Sequence, residues 1–298
     1  TPFRSTARRF DRRWPVDDVR QIMSEAVRSP ASGETSVREK LRTAGVATGL
    51  GWGAIALTLV ILLPVVFAIR QFGLPFPTST LALTALELVV GQVLVMGGLS
   101  VVYLVYTGRG LDYVPIRRPS LVEALAIITA PFAVILVTGI VTQLSLLVGV
   151  EPSQHALGNL GDVDPQFYLY MIPLVIFIVG PFEELLYRGV VQARLRESFG
   201  PAAAILLASL IFAAIHIPAH GFGAAGLGPT AASMAALVGG SIVFGGLYEW
   251  TGNLTVVALV HGLYNSILLA LLYVVTVYGP EMQDLAGATE PALAVVGL

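Results

Sequence analysis

Apolar residues in this chain come in long unbroken runs rather than at alternating or purely helical spacing. The runs lie near 45–69, 80–106, 121–149, 167–187, 201–217, 231–250 and 254–278. Crossing a bilayer as a helix takes about 20 predominantly apolar residues, which every run approaches or exceeds except 201–217. The terminal "ALAVVGL" is too short to cross, so the pattern predicts seven spans, or eight if that segment opens another. The predicted fold class is an all-α polytopic membrane protein, a bundle of transmembrane helices enclosing a polar cavity. Residues 1–42 stand apart as a polar arm, with 43–298 as the membrane domain. Within the arm, "WPVDDVRQIMSEAVRS" sets Val16, Val19, Ile22, Met23, Ala26 and Val27 at helical spacing behind Pro15 and Asp17, which suit a helix start. It reads as a short amphipathic helix on the membrane surface or against the bundle, or equally as a mobile arm with transient helix.

Composition sharpens this picture. Of 298 residues, 55% are hydrophobic and 12% charged, against about 25% charged in soluble domains. There is no cysteine, so neither disulfides nor thiolate metal ligands are available. A net charge of −2 gives no reason to expect a nucleic-acid partner. The arm carries ten basic residues against six acidic ones. Arg109, Arg117 and Arg118 lie in the second loop, and Arg194 and Arg196 follow the fourth run. Basic residues mark the cytoplasmic side, and these three segments fall on one face of the alternating topology. Glu151, Asp162, Asp164, Glu281, Asp284 and Glu290 fall on the other, and Arg70 dissents. The expectation is a multi-pass cell-membrane protein with a cytoplasmic N-terminus. The glycine clusters "GLGWG" and "GGSIVFGG" lie within spans and read as sites of close helix packing.

Against this background a few polar residues stand out. "GPFEELLYRGVV" puts Glu183, Glu184 and Arg188 inside the fourth run. On a helix Glu184 and Arg188 are i,i+4 neighbours in the favourable order. Glu183 projects about 100° away around the axis and needs a different partner. Pro181 removes a backbone hydrogen bond and predicts a kink or restart. "FAAIH" places Phe212 and His216 on one helix face, and "HGLYN" does the same for His261 and Asn265. Ionisable groups at membrane depth mark functional sites by default. Glu183 lies 17 residues before the turn at Gly200 and His216 lies 16 after it, while His261 lies nine beyond Gly252. The counts place all of them at a similar depth.

Two chemistries suit such a cluster. A carboxylate and an imidazole around one water act as general bases, while a second imidazole and an amide donate to a developing oxyanion. Alternatively Glu183, His216 and His261 hold a divalent metal such as zinc with an open position for water. Both end in hydrolysis.

The same residues carry a resemblance. "EELLYR" resembles the EExxxR motif of the CPBP family, the intramembrane proteases that include type II CaaX prenyl endopeptidases and bacterial Abi proteins. "FAAIH" is similar to its FxxxH motif and "HGLYN" to its HxxxN motif. They occur in the family's order on separate predicted spans, across roughly 120–280. The resemblance implies a protease domain over 43–298 in which Glu183 activates water and His216 positions or polarises it. It implies an oxyanion hole of His261 and Asn265, support from Glu184 and Arg188, and a pocket wall at Phe212. The family is described as metalloprotease-like. The implied substrate is a membrane protein or a lipidated peptide, of CaaX type or other.

Two further readings use the same residues: a proton-coupled transporter, and a catalytically silent scaffold or immunity protein. The transporter reading expects inverted repeats, and none is visible. No HExxH, GxGD or GxSxG motif occurs in a fitting context. Of the remaining polar residues, His220 reads as a loop residue beyond the helix-ending Pro218, His155 as solvated, and Glu249 as reaching the interface. Glu87 reads as an interhelical hydrogen-bond partner in preference to a cavity residue.

Overall fold

The computed structural model describes residues 35–73, 76, 79–153 and 163–286, and among these the chain is helical with no strand. The amphipathic segment of the arm and His155 lie outside the described residues. Seven helices form the bundle: α1 Val37–Phe72, α2 Thr80–Tyr106, α3 Leu121–Leu147, α4 Gln166–Arg196, α5 Pro201–Ala214, α6 Leu227–Thr251 and α7 Leu254–Ala286. All but α5 are long and apolar enough to cross a membrane. The boundary expected at residue 42 falls inside α1.

Local chemistry sets the ends. Ser36 and Ser79 cap α1 and α2 by accepting from Glu39 N–H and Ala82 N–H, and Ser120 with Glu123 forms a reciprocal capping box on α3. Gly252, at φ 54°, closes α6 in the left-handed conformation that favours glycine. α5 stops at Ala214, before the predicted residue 217, and passes into a 3₁₀ turn over Ile217–Gly223 with Pro218 in its first positions.

Two spans depart from α geometry. α2 widens into a π-helix over Leu88–Gly97, and α4 does so over Val175–Val179 and Leu185–Gln192. The expected break at Pro181 is therefore a widening: the Gly180 N–H bonds back to Val175 O, five residues earlier. The extra residue in the turn relieves the clash a proline ring makes with the carbonyl four positions before it. Glu183 and Glu184 sit in the short α segment between the two π stretches.

α4 is the central helix and contributes to all three apolar clusters of the core. It packs closest on α7. A Cβ on Gly180 would stand 2.5 Å from Ala258 O, and one on Gly262 would stand 2.8 Å from Ile176 Cα. Of the glycine clusters expected to pack, Gly51, Gly239, Gly240 and Gly245 are in close contact, while Gly49, Gly53 and Gly246 face open space. Leu63, Leu125 and Leu144 point outward from α1 and α3, as acyl-facing side chains would.

The basic segments do meet at one end. Arg109 bonds Glu197 at 2.5 Å, Tyr113 donates to Glu197 at 2.7 Å, Arg194 also pairs with Glu197, and Arg196 reaches Glu249 at 2.9 Å. Glu249 is thus an ion-pair partner. Thr43 near the start of α1 touches Ser198 at 2.8 Å, so the first turns of α1 lie at this same end.

Candidate active site

One cavity of about 570 Å³ opens among the spans, and Glu183, Phe212, His216, His261 and Asn265 all line it. α4 brings the glutamates, α5 and its 3₁₀ extension bring Phe212 and His216, and α7 brings His261 and Asn265. Glu184 and Arg188 stand behind this lining, 0% and 1% exposed.

The Glu184–Arg188 pairing has the predicted form, with Arg188 Nε 3.2 Å from Glu184 Oε2. Arg188 also donates through Nη2 to Ser241 Oγ at 3.1 Å and Ser241 O at 3.3 Å. Its guanidinium carbon lies over the rings of Phe212 and Phe244, 5.1 and 5.7 Å from their centroids, two cation–π contacts. The other oxygen of Glu184 takes a hydrogen bond from His261 Nδ1 at 2.7 Å. Glu184 therefore links the guanidinium to the imidazole, and Phe244 stacks on that imidazole at 4.8 Å and 21°.

These contacts assign the protons on both rings. A carboxylate only accepts, so His261 Nδ1 carries hydrogen and Nε2 is turned toward Glu183 Oε2, 3.9 Å away. His216 Nδ1 lies 2.7 Å from Phe212 O, and a carbonyl likewise only accepts. The local fold explains this bond. The His216 N–H closes a 3₁₀ turn onto Ala213 O, which leaves Phe212 O without the helical donor it would have had. The His216 ring supplies one. A neutral His216 consequently has its lone pair on Nε2, free to accept a proton.

Glu183 has the separate partner its position demanded. Gln92 on α2 donates from Nε2 to Glu183 Oε1 at 2.9 Å, and Gln92 also lines the cavity. Sequence reasoning passed over Gln92, whose only signal is an amide inside an apolar run. It likewise missed Ser241 and Phe244. Glu87 corrects an expectation: it lines the same cavity as an exposed residue and has no hydrogen bond to another helix among the described contacts. His220, expected in a loop, stands in that short 3₁₀ segment after Pro218. It is buried in the 3₁₀ turn, with Nδ1 3.1 Å from Ser153 Oγ, and it too lines the cavity.

Among the described residues no three His, Cys, Asp or Glu side chains form a group that could hold a metal ion.

A helical bundle with carboxylates and imidazoles gathered around a buried cavity defines a polytopic membrane protein with an intramembrane polar site. Residues 165–267 match the family model described as type II CAAX prenyl endopeptidase Rce1-like, in agreement with the CPBP resemblance. The match contains every motif residue from Glu183 to Asn265. No curated protein and no solved structure matches the chain.

Proposed function

We propose that the protein is an intramembrane endopeptidase in which Glu183 activates the hydrolytic water without a metal. Glu183 takes a proton from water as the oxygen attacks the scissile carbonyl carbon. His216, with Nε2 unprotonated, orients the water or shares the proton. The carbonyl oxygen becomes an oxyanion that accepts hydrogen bonds from His261 Nε2–H and the Asn265 amide. As the tetrahedral adduct collapses, protonated Glu183 passes its proton to the leaving amine. With both ring nitrogens of His261 protonated, Glu183, Glu184, Arg188 and His261 sum to zero charge, a balance a low-dielectric interior favours. Phe212 forms cavity wall and holds Arg188 from one side. The substrate is a membrane-associated protein or a lipidated peptide, CaaX-type being the first to test. The chain sits in the cell membrane with the basic end, and hence the arm, in the cytoplasm.

The observation that carries this reading is the convergence of Glu183, His216, His261 and Asn265 on one cavity from three separate parts of the chain. The experiment uses the detergent-purified full chain, a fluorogenic farnesylated CaaX peptide and its unprenylated counterpart. Glu183→Gln and His216→Ala are expected to lower turnover by about 10²–10⁴-fold and Asn265→Ala by about 10²–10³-fold. All three should keep a wild-type melting profile, and EDTA should leave wild-type turnover unchanged. Cleavage of neither peptide by the wild type, or full activity of Glu183→Gln, overturns the reading. Loss of activity to EDTA, with recovery on adding zinc, overturns its metal-free form.

A further inference from the structure

Glu183 has to be held at one orientation to act on a water, and its own helix offers it no donor: Glu184 and Arg188 face each other. The contact from α2 fills that place. Gln92 Nε2 donates to Glu183 Oε1 at 2.9 Å, while Gln92 Oε1 is buried with no hydrogen-bond partner. The amide cannot be reversed without setting its oxygen against a carboxylate oxygen. Leaving a buried carbonyl unpaired is costly, so a side chain present only for packing would be apolar.

The backbone around Gln92 is shaped to the same end. It lies in the π stretch Leu88–Gly97. In a regular α-helix residues five apart diverge by about 140°, but i→i+5 bonding brings them toward one face. Glu87 and Gln92 are five apart, and both line the cavity. One turn further on, a Cβ on Gly97 would come within 2.9 Å of the Phe182 ring. α2 therefore approaches α4 closely right beside Glu183.

We propose that Gln92 is a positioning residue for the reaction: its amide N–H fixes the Glu183 carboxylate in the orientation that takes the proton from water. This rests on Glu183 as the base, and it goes beyond the three motifs, since Gln92 lies outside the matched stretch 165–267.

The test is Gln92→Met, close in volume to glutamine but without the donor. Misplacing a catalytic group by a fraction of its reach costs on the order of 10–100-fold, so kcat on the farnesylated CaaX peptide should fall by that factor with KM unchanged within about threefold. The melting temperature should move little, within about 5 °C, since the orphaned carbonyl goes but the buried Glu183 carboxylate loses its donor. A purely packing role predicts undiminished kcat. A second readout needs no substrate: the infrared difference spectrum between Gln92→Met and wild type should contain a shifted carboxylate band, absent when the same change is made in the Glu183→Gln background. An unchanged kcat, or a spectrum without a carboxylate band that depends on Glu183, overturns the inference. Glu183→Gln with full activity would instead remove the base assignment while the band shift stood, so the two failures are distinguishable.

Discussion

Arg188→Met probes the group on which the rest of the cluster leans. In the native chain Arg188 sits 1% exposed against Glu184 at 3.2 Å, beside Ser241 and two aromatic rings, with Nη1 buried and without a hydrogen-bond partner among the described residues. At that separation the attraction is about 5 kcal/mol if the effective dielectric is about 20. The desolvation of both ions offsets much of it, but removing one partner leaves the other charge buried, which typically costs about 3–5 kcal/mol. The His261 hydrogen bond to Glu184 at 2.7 Å survives, so the low end, about 3 kcal/mol, is expected. Methionine refills much of the volume, so cavity cost is small. At roughly 2–4 °C per kcal/mol for a chain of a few hundred residues, the midpoint of thermal unfolding in detergent should fall by on the order of 10 °C. Turnover should fall as well, because Glu184 is freed to turn and carries His261 with it. Glu184→Gln combined with Arg188→Met should recover most of the lost stability, since the uncompensated charge is gone, but not the turnover. A midpoint for Arg188→Met within about 2 °C of wild type, or a double variant whose loss is the plain sum of the singles, would refute the reasoning.

Two further outcomes test other parts of the fold. Gly180→Ala places a methyl where Ala258 O stands 2.5 Å away and Gly262 N 3.1 Å away; backbone on both sides cannot yield, so α4 and α7 must separate, and turnover should drop at least tenfold with a lowered melting point, whereas Gly53→Ala, with nothing within 4 Å, should behave as wild type in a side-by-side assay. At the basic end, burial pushes the Glu197 carboxyl up, but hydrogen bonds from Tyr113 and Arg109 and the charges of Arg194 and Arg109 outweigh it and hold the group below its ordinary value. A depressed folded value means the contribution is complete above about pH 4.3, the unfolded value, and is lost as pH falls through the folded one. Glu197 is partly exposed, so the effect is below about 1 kcal/mol: Glu197→Gln should melt slightly below wild type at pH 7, with the two converging only as the pH falls through the depressed folded value.

Much of this architecture could be read from residue order alone, for a reason specific to hydrocarbon. Apolar runs of bilayer length have few alternative fates, and polar groups inside them are costly enough to stand out. Glu183, Glu184, Arg188, His216, His261 and Asn265 were visible for that reason. The Glu184–Arg188 contact was visible because i,i+4 geometry belongs to one helix. Counting from the turns anticipated that Glu183 and His216 would lie at one depth, and both line the cavity.

Other features depend on atoms far away in the chain. Gln92 carries no charge and no motif, and only the approach of α2 to α4 makes it the partner of Glu183. Glu87 could not be assigned to cavity or helix interface without knowing how the π stretch turns α2. Ser241 and Phe244 matter because α6 lays them against Arg188 and His261. The protonated nitrogen of each imidazole was set by its neighbour: the Phe212 carbonyl that a 3₁₀ turn leaves free, and a Glu184 oxygen brought within reach where Gly180 and Gly262 let two backbones nearly touch. Residue type and spacing decide which groups cannot be left in lipid; which of them meet, and through which atom, is decided by helix packing, because hydrogen bonds act over about 3 Å and that distance is set by the side chains and glycines at each crossing.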